Sequence, residues 1–147
     1  MSEKKIYITE RDAGRLRDLI GSGTNFGENG PFYLKQLVSE LDRAEIVESQ
    51  KIPRDIVTMN SLVQFRDLST NEVHEYSIVY PTSADHRMNK VSILAPIGLA
   101  LLGCRVNDIV EWPVPAGTRR LKIEKVLYQP EAAGEFGQHR VVADRAV

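Results

Sequence analysis

Residues 62–80, LVQFRDLSTNEVHEYSIVY, decide the fold class of this chain. In the first half, Val63 and Phe65 alternate with polar residues, and the second half repeats this period of two as far as Ile78. Strict alternation is typical of a β-strand with one buried face. The intervening residues 67–72, DLSTNE, have the composition of a turn. The segment therefore predicts a β-hairpin.

Downstream of this hairpin, the sequence predicts three more strands and one short helix. A third strand is expected at 91–94, and residues 108–112 and 118–128 are expected to form a closing hairpin. Pro96, at a first helical position, and Gly103 bracket a short apolar helix. These elements predict a small antiparallel sheet that holds one short helix.

Upstream, the apolar period changes to that of an α-helix. Thr9 is a good N-cap for a first helix that Gly21 ends, and Pro31 suits the start of a second helix. Each helix carries one apolar stripe, formed by Ala13, Leu16, Leu19 and Ile20 in the first and by Leu34, Leu37, Val38, Leu41, Ala44 and Val47 in the second. Two such helices, about 18 Å and about 25 Å long, are expected to cover each other as an antiparallel pair.

Together these patterns predict an α+β chain. The helical hairpin is expected over residues 1–52, with Ile6 to Ile8 as a strand-like anchor at its base. The sheet domain is expected over 53–130, because Pro53 breaks the helical pattern. Residues 131–147 mix glycine, alanine and charged residues and are expected to be a loose tail.

The composition excludes several classes of protein. The 147 residues include 19 basic and 20 acidic side chains, a net charge of −1, which argues against a protein that mainly neutralises nucleic-acid phosphates. The single Cys104 excludes an intramolecular disulfide. The longest nearly apolar run, 93–104, is shorter than the roughly 20 residues that cross a bilayer. We expect a cytoplasmic protein without a membrane partner.

The residues with catalytic or metal-binding chemistry form no recognised motif. His74, His86 and His139 lie in different predicted settings, and no two of them have the spacing of metal ligands. Cys104 is interpreted as a small packing residue. The glycine-rich stretch 21–31 lacks the preceding strand and the lysine of a phosphate-binding loop. The sequence therefore predicts no catalytic residue, no metal site and no cofactor.

Several stretches resemble the Gre family of bacterial transcript-cleavage factors. The matching stretches are DIVTMNS at 55–61, VQFRDL at 63–68, APIGLALLG at 95–103, VND at 106–108, PAG at 115–117 and VLY at 126–128. Further stretches resemble the Rnk-type branch of this family, named as regulators of nucleoside diphosphate kinase. They are ELDRA at 40–44, VTMNS at 57–61, VYP at 79–81 and YQPEAAG at 128–134.

This resemblance implies an FKBP-like sheet domain after an N-terminal antiparallel coiled coil. It also implies binding to core RNA polymerase at the rim of the secondary channel, in competition with Gre factors, with nucleic acid reached only through the polymerase. The family's docking segment corresponds here to Leu94, Ala95, Pro96 and Ile97. Leu94 and Ala95 depart from the acidic residue and serine of some members, so we expect an apolar or altered docking contact.

The tip of the hairpin differs from that of the cleavage factors. Gre factors are known for two tip carboxylates that hold a magnesium ion, and one carboxylate rarely fixes a mostly hydrated Mg²⁺. Between Gly21 and Pro31 this chain has only Glu28, next to Phe26 and Asn29 in the expected tip. We therefore predict a regulator that is not an enzyme. The resemblance to the Rnk-type branch implies that it affects nucleoside diphosphate kinase levels, and we expect this effect to be indirect, through transcription.

Two other functions remain open from the sequence. The first is an enzyme, either a Gre-like cleavage cofactor or an FKBP-type prolyl isomerase. A cleavage cofactor would need a second acidic residue at the tip, and an isomerase would need a hollow lined by aromatic residues. The second is an adaptor that binds another protein through the apolar stripe from Leu34 to Leu41, if the helices leave that stripe uncovered.

Overall fold

The computed structural model of this protein describes residues 5–22, 30–114 and 117–135. The helices are α1 (Glu10–Gly21), α2 (Gly30–Arg43) and α3 (Pro96–Leu101). The strands are β1 (Tyr7–Thr9), β2 (Glu45–Val47), β3 (Leu62–Asp67), β4 (Val73–Val79), β5 (Lys90–Ser92), β6 (Ile109–Val114) and β7 (Gly117–Tyr128). Short 3₁₀ turns lie at Ser49–Lys51, Pro81–Ser83 and His86–Met88. None of the helices described is long and apolar enough to cross a membrane.

Within these residues, the larger sheet has the strand order β5-β4-β3-β7-β6. The two predicted hairpins are present: Phe65 in β3 pairs with His74 in β4, and β6 pairs antiparallel with β7. The prediction of a purely antiparallel sheet is wrong, because β5 runs parallel to β4, with Ser77 opposite Lys90. Residues 80–89 cross over through two 3₁₀ turns and return the chain to the same end of the sheet.

The second helix is shorter than its apolar stripe predicted. α2 ends at Arg43, and Glu45–Val47 forms a strand parallel to β1, so the extension of the helix to Val47 is wrong. The Glu45 amide donates to the carbonyl of Ile6 at 2.9 Å. Adjacent β-branched residues favour a strand once such a partner is available.

One hydrophobic core joins the helical segment to the larger sheet. Leu37 and Leu41 of α2 are buried in the same cluster as Phe65 of β3. Leu34 and Val38 are half-buried and line an open hollow of about 580 Å³, so the stripe that the adaptor hypothesis needs is covered only in part. The contact is close at Gly103, whose carbonyl accepts a hydrogen bond from the Tyr7 amide at 3.1 Å. Gly103 has a φ of +81°, and a Cβ there would lie 2.8 Å from the Ile6 side chain, so glycine is required.

The segment predicted as a loose tail begins with a hydrogen-bonded turn. The Glu135 amide donates to the carbonyl of Pro130 at 2.8 Å, and Gly134 adopts a φ of +83°. A carboxylate oxygen of Glu131 accepts a hydrogen bond from the Thr58 hydroxyl at 2.7 Å. This turn therefore contacts the loop that precedes β3. The rest of the predicted tail, 136–147, lies outside the described residues.

Candidate functional site

The segment that leads into α3 contains the four predicted docking residues, and the structure divides them into two pairs. Leu94 and Ile97 are each only 7% exposed and belong to the core. Pro96 is exposed and Ala95 is half-buried, so these two present the segment to solvent. The amides of Leu94 and Ala95 donate to the hydroxyl and the carbonyl of Ser92, at 3.0 and 2.9 Å. The accessible pair is therefore anchored on both sides.

Gly98 fixes the position of α3 against the end of β5. A Cβ on this residue would lie 2.4 Å from the Ser92 carbonyl oxygen and 3.1 Å from the Ile93 Cα. The absence of a side chain therefore lets the helix approach the strand backbone directly. Sequence reasoning did not single out Gly98. The available signal was a glycine inside a short apolar helix, where it is unfavourable without a packing reason.

A groove of about 340 Å³ lies between α2 and α3. On α2, Phe32 is 58% exposed and its ring packs edge-on against Tyr33, with 5.2 Å between the ring centroids. Pro96 lies at this groove, so the groove is continuous with the accessible part of the predicted docking segment. The lining residues are Phe32, Tyr33, Gln36, Ser39 and Glu40 of α2, Pro96, Leu99 and Ala100 of α3, and Glu111 of β6. The sequence did not predict this groove.

A buried carboxyl connects α1 to the loop that precedes β3. Asp12 is 6% exposed, and its Oδ2 accepts a hydrogen bond from the Met59 amide at 3.1 Å. Burial raises the pKa of Asp12 to about 7, and the neighbouring Glu131 contributes to this rise. The Met59 amide, Arg15 and Thr9 act in the opposite direction on this pKa. Asp12 therefore changes its charge near neutral pH.

Three other polar side chains lie near the Asp12 carboxyl, namely those of Thr58, Tyr80 and Glu131. We call these four residues together the polar joint. The Arg15 guanidinium lies 4.5 Å from the centre of the Tyr80 ring. The Tyr80 hydroxyl is buried and has no hydrogen-bond partner among the described atoms. Burial raises the pKa values of Tyr80 and Glu131, and the charge of Asp12 further raises that of Tyr80. The polar joint thus links α1, the loop before β3 and the turn after β7.

The remaining predicted candidates have structural surroundings or lie outside the described residues. His74 is half-buried in β4, with its ring centroid 5.5 Å from that of Phe65. Cys104 is 3% exposed and donates to the Ala100 carbonyl at 3.4 Å, which confirms its interpretation as a packing residue. In the parts of the chain that the structure describes, no group of three His, Cys, Asp or Glu residues could hold a metal ion. The predicted tip residues Phe26, Glu28 and Asn29 lie outside the described ranges.

The chain matches known proteins over both of its halves. Residues 52–128 match the family model described as "Transcription elongation factor, GreA/GreB, C-term", and residues 4–47 match the model "Rnk N-terminus". The "Regulator of nucleoside diphosphate kinase" of Escherichia coli K12 is 39% identical over 137 residues, which cover 92% of this chain and 98% of that protein. The transcription elongation factor GreA of Alkaliphilus oremlandii is 40% identical over 93 residues, 63% of this chain and 58% of that protein.

One solved structure is similar to both the sequence and the fold of this chain. It is a prokaryotic transcription elongation factor GreA/GreB from Nitrosomonas europaea, with 42% sequence identity and a TM-score of 0.69. The match covers 86% of this chain and 100% of that chain.

Proposed function

Because this chain belongs to the GreA/GreB family and combines that family's C-terminal domain with an Rnk-type N-terminus, we propose that it regulates transcription by binding RNA polymerase without cleaving the transcript. It docks near the secondary channel, as Gre factors do, and competes with them there. Altered levels of nucleoside diphosphate kinase follow from altered transcription rather than from contact with the kinase.

Docking through residues 94–97, at the start of α3, is supported by the accessibility of Ala95 and Pro96. These two residues reach solvent, whereas Leu94 and Ile97 hold the segment in the core. The contact between Gly98 and the Ser92 carbonyl keeps α3 in a fixed position. A surface that is already ordered loses little conformational entropy on binding. The segment is therefore suited to a partner of fixed shape.

The absence of cleavage activity is proposed from the hairpin's sequence and length. A magnesium site at the tip needs a second carboxylate, and Glu28 is the only acidic residue between Gly21 and Pro31. The helices have 12 and 14 residues, so they extend about 18 and 21 Å. Such a hairpin has a short reach from any docking site on the polymerase rim. This chain then acts as a competitor of cleavage factors.

The proposal includes two finer features of the architecture. The sheet domain, in which α3 packs beside β5 and β6, is taken to be FKBP-like. α1 and α2 are taken to be a short antiparallel coiled coil, with Leu16 and Leu37 buried in its base. In this arrangement the sheet domain binds the polymerase and the helical pair points toward the channel.

Competition with a labelled Gre factor for core RNA polymerase tests the proposal. The informative variant is Pro96→Glu, because an acid at the first position of a helix is compatible with the helix dipole while it changes the exposed surface. The matched control is Pro53→Glu at another exposed proline. We expect the wild type to displace the Gre factor, Pro96→Glu to bind about tenfold more weakly, and the control to bind like the wild type. No binding of the wild type at micromolar concentration would refute the proposal.

A transcript-cleavage assay tests the second part of the proposal. Stalled elongation complexes are incubated with this chain, with a Gre factor as the positive control. We expect the wild type to release no cleaved RNA and to slow cleavage by the Gre factor as its concentration rises. Cleavage by this chain alone would contradict the argument from the tip carboxylates.

A further inference from the structure

From the groove between α2 and α3, we infer that the helical segment supplies a second contact with the polymerase. The groove takes a polypeptide segment that carries an apolar side chain next to a lysine or arginine. This inference rests on the proposed function and specifies the chemistry of the segment that is bound. It extends the docking surface from the sheet domain onto the N-terminal half of the chain.

The floor and one wall of the groove are apolar and accessible. Phe32 and Tyr33 stand on α2, and Pro96 and Ala100 follow each other on one face of α3. Phe32 is more than half exposed, and it lines the same groove as the exposed Pro96, so the two form a continuous accessible apolar surface. Exposed aromatic residues beside a concave apolar surface are typical of protein interfaces. The groove therefore accepts an apolar side chain.

The charge of the groove selects the second feature of its occupant. Glu40 and Glu111 line it, and no lysine or arginine is present among the described lining residues. Glu40 is paired with Arg43 at 2.9 Å, but Glu111 is exposed and has no ion pair in the described part of the chain. A carboxylate beside an apolar floor suits a lysine or arginine, whose hydrocarbon stem packs on the floor while its charge reaches the acid.

The same charge disfavours nucleic acid as the occupant. The two carboxylates would repel phosphate groups, on which nucleic-acid affinity mainly depends. Beyond Glu40 and Glu111, a neighbouring hollow of about 510 Å³ is lined by Arg43 and Arg120 as well. The sign of the charge therefore becomes mixed along the surface. Glu40 and Glu111 line both hollows, so the basic side chain of the occupant is placed beside these two acids and its apolar side chain at the end that contains Pro96.

Charge reversal at Glu111 is the most direct test. Glu111→Lys is compared with Glu75→Lys, which makes the same change on an exposed residue of β4 outside the groove. Binding of both variants to core RNA polymerase is measured by competition at low and at moderate salt. We expect Glu111→Lys to weaken binding about tenfold at low salt and to reduce the salt dependence, while Glu75→Lys binds within about twofold of the wild type.

Two additional groove variants and one control separate a lost contact from a folding defect. Glu111→Gln keeps the shape of the side chain and is expected to weaken binding about threefold, with unchanged thermal unfolding. Phe32→Ala is expected to weaken binding about tenfold, whereas Met88→Ala, at a residue that is 62% exposed outside the groove, has no effect.

The outcomes distinguish the groove from the docking segment. If Pro96→Glu weakens binding while Glu111→Lys and Phe32→Ala bind like the wild type, the groove inference is overturned and the proposed function stands. If the wild type itself does not bind, the proposed function fails, and the inference fails with it. Equal weakening by Glu111→Lys and Glu75→Lys would show general charge repulsion and would also overturn the groove.

Discussion

Replacing Asp12 with asparagine should remove most of the pH dependence of stability that we expect of the wild type between about pH 4 and pH 7. The pKa of Asp12 rises from 3.8 in the unfolded chain to about 7 in the folded protein, mainly because the carboxyl is buried. The folded state therefore holds this proton more tightly than the unfolded state. Below about pH 4 both states are protonated; stability falls as the pH rises toward 7 and levels off above it, where both states are ionised.

The magnitude follows from the same two pKa values. The change from 3.8 to about 7 disfavours the charged folded form by about 4 kcal/mol once the pH is well above 7. An asparagine at this position would not ionise, and its amide oxygen can accept the hydrogen bond from the Met59 amide. We therefore expect Asp12→Asn to match the wild type only below about pH 4, and to be more stable by about 1–2 kcal/mol at pH 5, where the unfolded carboxyl is already ionised and the folded one is not. At pH 8 it should be more stable than the wild type by about 2–4 kcal/mol.

Urea unfolding followed by circular dichroism at pH 5, 6, 7 and 8 measures this difference. The difference between the two curves is informative because all other side chains are common to both proteins. Asp18→Asn, at an exposed position on the same helix, is the control and should leave the pH profile unchanged. If Asp12→Asn were less stable than the wild type at pH 8, the charged carboxylate would be stabilising, and the argument from burial would be refuted.

Three substitutions test the packing around the candidate site by urea unfolding. Gly98→Ala should lower the free energy of unfolding by about 1–3 kcal/mol, because its Cβ would meet the Ser92 carbonyl; an unchanged midpoint would contradict that contact. Gly14→Ala, with nothing within 4 Å of the added Cβ on α1, should instead stabilise by about 0.5–1 kcal/mol, and a loss would show crowding. Gln129→Ala should destabilise by about 1–3 kcal/mol, since the carbonyls of Pro53 and Ile56 lose the side-chain amide that donates to both; a neutral effect would mean that water replaces it.

The sequence predicted those helices and strands that are long enough to show a regular spacing of apolar residues. The β3–β4 hairpin has two alternating strands around a polar turn, and both the pairing and the turn were predicted. Glu45–Val47 is too short to show a period of two, and its strand forms only because β1 supplies a partner. The parallel direction of β5 was not predictable, since it depends on the path of residues 80–89.

The candidate site was predicted less completely, because the spacing of apolar residues along the chain does not show which of two adjacent residues the folded protein buries. Leu94 to Ile97 is a short apolar segment, and only the folded chain shows that Pro96 is exposed while its neighbour Ile97 is buried. Asp12 reads in the sequence as an ordinary acid in the first turn of a helix. Its raised pKa depends on burial and on Glu131, which is far away along the chain and is brought close by folding.

The hydrogen bond between Tyr7 and Gly103, together with the shared core, has a consequence for the free protein in solution. It ties the base of the helical pair to the residues just after α3. The direction of the helices relative to Pro96 is therefore set before any partner arrives. A partner that binds α3 therefore meets helices whose direction is already defined. The complex forms without the loss of orientational entropy that two flexibly linked domains would incur.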